Sequence, residues 1–207
     1  MTLCVVPEDW SDTLPLEIKN LSTTQDTPQA VRIFGIRFHK LTLNELLESI
    51  LRFAKSPEKQ IIAHVNIKAM NLVYQLPWYR DFMNAADLVF CDGVGVVLGA
   101  RLLGYALQTR HRMTCPDWIE QLGIQCASND VSLFLLAGFP GVAESAAQKL
   151  KDVAPALKIS SHHGYFTKSG PENTDVIEII NDFNPDILYI GLGMPLQEKW
   201  IAENYDK

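Results

Sequence analysis

The chain has no apolar run approaching the roughly 18 residues that a membrane-spanning helix needs. Its first residues include Glu8, Asp9 and Asp12 rather than a basic stretch followed by an apolar one. That composition argues against a secretory signal. The four cysteines, Cys4, Cys91, Cys115 and Cys126, form no C-x-x-C pair, which excludes a zinc ribbon or a thioredoxin-type dithiol. Such cysteine usage fits a reducing, cytoplasmic setting, with Cys91 expected as buried packing. A basic stripe is also missing: the formal net charge is −6, the wrong sign for a general nucleic-acid binder. No Asp-x-Asp pair occurs anywhere in the 207 residues, so the acid pair often used to hold a divalent metal on a diphosphate is not available.

What is present is a recurring junction of short apolar strand, glycine turn and helix. The most informative is Ala85-Ala86-Asp87-Leu88-Val89-Phe90-Cys91 followed by Asp92-Gly93-Val94-Gly95 and an apolar helix. In open α/β sheets ligands bind beyond the carboxyl ends of the strands, so an acid at this point stands where chemistry occurs. A second junction, Asp186–Ile190 followed by Gly191-Leu192-Gly193-Met194-Pro195-Leu196-Gln197-Glu198-Lys199, lies near the end of the chain. A third is Leu136-Ala137-Gly138-Phe139-Pro140-Gly141. Glycine turns opening onto helix N-termini suit phosphate groups, so the set points to a phosphorylated or nucleotide substrate.

Along the chain, residues 1–29 read as a loose leader rich in proline and small polar residues. A single α/β domain is expected over 30–207. Its first element is an alternating strand, Val31–Phe38. Thr42-x-x-Glu45 is a capping box opening a helix that reaches Phe53. The remaining reading is strand Gln60–Val65, helical material to Asn84 broken at Pro77, strand Ala85–Cys91, helix Gly93–Gly104, helix Asp117–Cys126, strand Val131–Leu136, helix Val142–Val153, strand Leu157–Ser160, helix Asp175–Phe183, strand Asp186–Ile190 and helix Pro195–Asn204. This alternation predicts a Rossmann-like fold, a mostly parallel sheet with helices on both faces.

Each candidate residue has a structural role to set beside its chemical one. Asp92 fits a general base at a strand end, and equally a helix N-cap. The glycines Gly93-x-Gly95-x-x-x-Gly99 are one residue longer than the dinucleotide fingerprint, and no acid follows at the spacing ribose recognition requires. An NAD(P)-dependent oxidoreductase nevertheless remains an alternative. Arg110-His111-Arg112-Met113-Thr114-Cys115-Pro116-Asp117 gathers two guanidinium groups that suit a diphosphate, while Thr114 or Asp117 equally suits a helix cap. Gln197 offers an amide to a nucleotide or sugar, and Glu198 in a first helical turn complements the helix dipole. His162 and His163 are adjacent and point apart, a poor metal pair, and His64 reads as a partly buried structural histidine.

Five stretches together resemble one family. They are Val65–Leu72, Ala85–Val97, Arg112–Asp117, Leu135–Glu144 and Ile190–Trp200, in that order and spacing from about Val31 onward. The chain resembles the WecG/TagA/CpsF glycosyltransferases of bacterial teichoic acid and surface-polysaccharide synthesis. The resemblance implies an inverting, metal-independent transfer of N-acetylmannosamine or a related sugar from a UDP donor, which is a substrate rather than a cofactor. It implies a polyprenyl-diphosphate-linked acceptor and peripheral contact with the cytoplasmic face of the membrane. Asp92 matches the family's general base and Asn66 its polar residue beside the reacting sugar. Arg112, Thr114 and Asp117 match a substrate-binding stretch joined by Arg110. Gly138, Gly191 and Gly193 match nucleotide-facing turns and Gln197 the nucleotide-site glutamine, and Gly93 and Glu198 are expected among the substrate-binding residues. Cys115-Pro116 stands where many members carry glycine and a small residue, and is expected to reshape that loop. Family members continue past the Gln197 helix with a basic segment that touches the membrane and supplies arginines. The expectation here is a domain without it, with Arg110 and Arg112 covering part of its role. A non-catalytic nucleotide-sugar-binding homologue is a further alternative, and monomer, dimer or trimer all fit the sequence.

Overall fold

Strand residues that alternate between two buried faces need apolar cover on both sides, and the central strands of this chain do so throughout. A computed structural model describes residues 2–4 and 29–207. In chain order its first elements are β1 (Thr2–Cys4), β2 (Ala30–Ile33), β3 (Ile36–His39), α1 (Leu43–Ala54), β4 (Ile61–Val65), α2 (Ile67–Gln75), α3 (Pro77–Ala85), β5 (Leu88–Cys91) and α4 (Val94–Leu102). They continue with α5 (Ile119–Ser128), β6 (Leu133–Ala137), α6 (Val142–Val153), β7 (Ile159–His162), α7 (Pro171–Phe183), β8 (Ile187–Gly191) and α8 (Leu196–Asn204). Two short 3-10 turns, Thr109–His111 and Cys115–Asp117, link α4 to α5.

Among the described residues the main sheet has the strand order β5-β4-β1-β8-β6-β7. The pairs β4 with β5, β6 with β7 and β6 with β8 are parallel. β1 lies antiparallel between β4 and β8, which leaves β4 and β8 running the same way. The ends of β4, β5, β6, β7 and β8 therefore share one edge of the sheet. Ala63, Val65, Val89, Cys91, Phe134, Leu136, Leu188 and Ile190 point to one face, where α2, α3, α4, α7 and α8 cover them. Ile62, Leu88, Phe90, Leu133, Leu135 and Ile187 point to the other, under α1, α5 and α6. The doubly covered, mostly parallel α/β arrangement is the one that the sequence predicts.

Some expectations are corrected. The run Val31–Phe38 is not one strand but the hairpin β2–β3, because Phe34 (φ 50°) and Gly35 (φ 83°) both adopt left-handed backbone and reverse the chain. The helix expected from Asp175 begins at Pro171, whose fixed φ suits a first turn. The strand expected from Ala85 starts at Leu88, since α3 runs to Ala85 and the Asp87 carboxylate accepts from the Ile61 amide. The strand expected over Leu157–Ser160 is displaced to Ile159–His162, and α5 begins at Ile119 after the 3-10 turn that Pro116 occupies. Of the leader expected over 1–29, only Thr2–Cys4 and Gln29 are among the described residues, and Thr2–Cys4 is a strand of the sheet. The capping box forms: Glu45 donates its amide to Thr42 Oγ1, and its carboxylate accepts from the Thr42 amide at 2.6 Å. These bonds to Thr42 hold the Glu45 carboxyl below its usual range.

The hairpin is fixed to the sheet through a buried imidazole. His39 Nδ1 lies 3.1 Å from the Val89 amide and 3.3 Å from the Val89 carbonyl oxygen, so the ring meets both backbone groups of one residue of β5. Burial, with the nearby Arg37 charge, pushes His39 down to about 4 from 6.5. The unfolded chain binds this proton more readily than the fold does. Stability is thus complete above pH 6.5 and declines as pH falls towards 4, by about 3 kcal/mol for this group. Denaturant melts across that range should show the decline, and His39→Gln should flatten it. A pH profile unchanged by His39→Gln would remove this imidazole from the acid response.

Candidate active site

Two groups of residues collect along the carboxyl edge. The first stands at β4 and β5. Asp92 donates its amide to the Val65 carbonyl at 2.8 Å, which extends the β4–β5 ladder one residue past the strands and aligns Asn66 with Asp92. Asn66 caps α2, its Oδ1 accepting from the Ala69 amide at 3.0 Å. Gly93, not Asp92, occupies the N-cap of α4, with φ 95°. The alternative that Asp92 is a capping residue is thereby corrected: its side chain stands 3.7 Å from His64 Nε2. The Asp92 side chain is 18% exposed and that of His64 6%, so the carboxylate meets solvent with the imidazole behind it. His64 in turn stacks on Phe90, ring centroids 5.7 Å apart. Gly93 has Asn66 as its near neighbour, and Gly95 lets Ile67 pack where a Cβ would approach to 2.6 Å.

The segment after α4 returns to this point. Met113 donates its amide to the Cys91 carbonyl at 2.9 Å, and Arg112 bridges Cys91 in parallel register. Arg112 donates to Thr114 Oγ1 at 3.1 Å and lies 3.6 Å from Asp117. Neither Thr114 nor Asp117 makes a side-chain cap, so these three form a polar cluster beside β5 instead. Arg110 does not join it; its charge, with that of His111, acts on Glu45 at the start of α1. Cys115 is hydrogen-bonded to Tyr189, and burial pushes its thiol up to about 11, with the Asp92 charge adding to the rise. Cys91 is fully buried, as expected, and pushed up to about 12 by burial.

The second group lines an open cleft of about 760 Å³ at the ends of β6, β7 and β8. Gly138, Gly191 and Gly193 all face it, as the sequence reading requires of turns that approach a ligand. Gly138 (φ 66°) and Gly193 (φ 83°) hold conformations that disfavour side chains, and a Cβ at Gly191 would meet that of Ala137 at 2.9 Å. Gln197 and Glu198 are not on the cleft wall. Gln197 is 1% exposed; its Oε1 accepts from the Gly193 amide at 3.2 Å and its Nε2 donates to Glu198 Oε1 at 2.7 Å. It thus shapes the glycine turn from beneath. Glu198 is buried, and its charge adds to burial in raising the Tyr79 hydroxyl. The helix carrying both is anchored by a buried network in which Trp200 Nε1 donates to Asn173 Oδ1 at 2.7 Å and Asn173 Nδ2 donates to Asn204 Oδ1 at 2.8 Å.

Sequence reasoning passed over Lys168, which lines the same cleft. Its ammonium donates to the Gly164 and Phe166 carbonyls, both at 2.7 Å, and lies 3.6 Å from the centre of the Phe166 ring. Desolvation lowers its pKa. No motif marks this lysine; only the folded loop brings it beside Gly138 and Gly191. His64 was read as structural, and only the pairing of β4 with β5 sets it behind Asp92. Among the described residues no group of three or more His, Cys, Asp or Glu side chains is placed to hold a metal ion.

The model of the Glycosyl transferase WecG/TagA/CpsF family matches residues 31–207. The chain belongs to this family. It is similar to proteins of Staphylococcus aureus strains NCTC 8325 / PS 47, COL and MRSA252, each named N-acetylglucosaminyldiphosphoundecaprenol N-acetyl-beta-D-mannosaminyltransferase. Identity is 29% over 173 residues, covering 83% of this chain and 66% of each relative. The chain therefore spans just under two thirds of the length of these curated relatives. No helix among the described residues is long and apolar enough to cross a membrane. The dinucleotide alternative is poorly served by the geometry. Among the described residues β5 is an edge strand of the main sheet, Gly95 packs against Ile67, and a Cβ at Gly99 would meet nothing within 4 Å.

If the glycine cleft takes an anion, its lysine should be felt directly. Lys168→Met is expected to weaken inorganic pyrophosphate binding about tenfold, the scale of one hydrogen bond to a charged group. Calorimetric titration would measure it, and equal affinity in the variant would place the anion elsewhere.

Proposed function

We propose that this chain is the catalytic domain of an inverting glycosyltransferase that moves N-acetylmannosamine or a related sugar from a UDP donor to a polyprenyl-diphosphate-linked sugar. The observation that carries the reading is Asp92: a part-exposed carboxylate at the end of β5, on the same sheet edge as a glycine-lined cleft. Membership of the glycosyltransferase family supports the reaction class. The name of the Staphylococcus aureus relatives supports an N-acetylmannosaminyl donor and a lipid-diphosphate acceptor.

In this reading the acceptor hydroxyl gives its proton to an Asp92 carboxylate oxygen as it attacks the anomeric carbon. The bond from that carbon to the diphosphate oxygen breaks, and its electron pair leaves with UDP. Attack opposite the leaving group inverts the anomeric centre with one carboxylate and no covalent intermediate. His64 holds the Asp92 carboxylate in place from behind. Asn66, its Oδ1 engaged at the α2 cap, has its amide donors to offer the reacting sugar. Arg112, Thr114 and Asp117 flank the base and bind substrate, Arg110 stands apart from them towards Glu45, and Gln197 and Glu198 set the Gly193 turn. Charge developing on the diphosphate is met by amides at the Gly138 and Gly191 turns and by Lys168, with the Gly193 turn held from beneath by Gln197, an arrangement of fixed donors that needs no metal. The acceptor's lipid places the enzyme at the cytoplasmic face of the membrane, as a peripheral protein.

The test is transfer from UDP-N-acetylmannosamine to a soluble lipid-diphosphate-N-acetylglucosamine analogue in EDTA. Wild type should form product, and Asp92→Asn should lose at least about 100-fold in turnover. Near-normal turnover in Asp92→Asn would remove the carboxylate from the mechanism. Dependence on added metal would overturn the metal-free step, and UDP binding without transfer would favour a binding homologue. His64→Ala should lower kcat about ten- to a hundred-fold, the scale of a misplaced catalytic group, with UDP affinity within about twofold of wild type. A loss of UDP affinity matching the loss of kcat would make His64 a general structural residue instead.

A further inference from the structure

The cleft carries a feature that the transfer step leaves unused. Phe139, on the turn from β6 to α6, and Tyr165, on the loop from β7 to α7, lie face to face with ring centroids 4.0 Å apart and planes 15° apart. Both line the cleft, yet they remain 60% and 58% exposed. Two large rings held together in solvent keep much apolar area wet, and a third planar ring would cover part of it. We propose that this aromatic pair is the nucleobase platform of the donor site, holding the base of a nucleoside diphosphate while the glycine turns and Lys168 hold the phosphates. The inference rests on the transferase reading and adds to it the residues that recognise the nucleoside.

Three observations support the assignment. The pair is fixed by backbone: Gly164, next to Tyr165, donates its amide to the Gly138 carbonyl, next to Phe139, at 2.8 Å. A Cβ at Gly164 would fall 2.6 Å from Leu192 and 3.5 Å from the backbone of Ala137, so the loops after β6, β7 and β8 converge closely at this point. The rings therefore sit on a firm three-loop junction. Next, the platform adjoins the phosphate-binding features: Gly138 immediately precedes Phe139, and Lys168 donates to the carbonyl of Gly164.

The third is the order of groups along the sheet edge. Reading from β5, the edge presents Asp92, then the glycine turn of β8, then the turn of β6, then the loop of β7. A nucleotide sugar has the same linear order of reacting sugar, diphosphate and nucleoside. With the reacting sugar at Asp92 and the diphosphate on the glycine turns, the end that remains for the β6–β7 stack is the base. A sugar ring would also stack on these aromatics, but the reacting sugar has to be at the opposite end of the row. Stacking tolerates any base because every base has a π-face, so the pair supplies affinity more than base identity.

The experiment is calorimetric titration of the whole chain with UDP and, separately, inorganic pyrophosphate. Wild type is compared with Phe139→Ala, Tyr165→Ala and Tyr165→Phe. Each alanine variant is expected to bind UDP about tenfold more weakly, within the range for loss of one base-stacking ring. Pyrophosphate affinity should stay within about twofold, and Tyr165→Phe should behave as wild type. Unchanged UDP affinity in both alanine variants overturns the proposal. Parallel losses for UDP and pyrophosphate also overturn it, since the rings would then only brace the loops. Failure of wild type to bind UDP at all contradicts the donor reading beneath the proposal, a result distinct from UDP binding that ignores both rings.

Discussion

The arrangement of this site depends on backbone hydrogen bonds made just beyond the ends of the parallel strands. Asp92 to Val65 at 2.8 Å, Met113 to Cys91 at 2.9 Å and Gly164 to Gly138 at 2.8 Å each tie one connection to the next. Parallel strands deliver their ends to a common edge, but loops at that edge would diverge without such ties. The first bond sets Asn66 beside Asp92, the second brings the Arg112 cluster to β5, and the third joins the two halves of the aromatic stack. Their cost is conformational, and Gly93 beside the first and Gly138 in the third meet it with positive φ.

The edge separates two kinds of chemistry. Around β4 and β5 the side chains are polar and close to one another: His64 stands 3.7 Å from Asp92, and Arg112 donates to Thr114 and lies 3.6 Å from Asp117. Around β6, β7 and β8 the wall consists of glycine backbone, the rings of Phe139, Tyr165 and Phe166, the side chains of Thr167, Leu192 and Leu196, and the opposite charges of Lys168 and Glu172. The first kind suits proton movement; the second suits a ligand with a flat apolar end and a charged middle. Buried polar groups support both from below. Gln197 holds the Gly193 turn, and the Asn173–Trp200–Asn204 network holds the helix that carries Gln197.

Much of this was legible because it is local. A strand of alternating faces, a glycine with a required turn and an acid at the junction are adjacent in sequence, so Asp92, Gly138 and Gly191 could be placed on one sheet edge before the fold was known. The hairpin was missed because Val31–Phe38 keeps an alternating apolar pattern, and Phe34 at its turn is a poor reversal signal. Thr114 and Asp117 fit caps as well as ligands in sequence; Arg112 on the same segment partners both, and only the return of that segment to β5 sets the cluster there. Gln197 looked like a ligand contact because it follows two glycines. Its side chain bends back onto Gly193, which no spacing rule reveals. His64, Lys168 and the Phe139–Tyr165 pair owe their places to contacts between segments distant in sequence, and a single chain carries no pattern for those.

The most direct test of the whole arrangement is a crystal structure of Asp92→Asn with UDP-N-acetylmannosamine bound. The expected result has the diphosphate on the turns of Gly138, Gly191 and Gly193, and the anomeric carbon facing residue 92 on the side opposite the departing phosphate. A donor whose sugar points away from β5, or whose diphosphate lies on the Gly93–Gly99 turn, would contradict the assignment of Asp92 as the base.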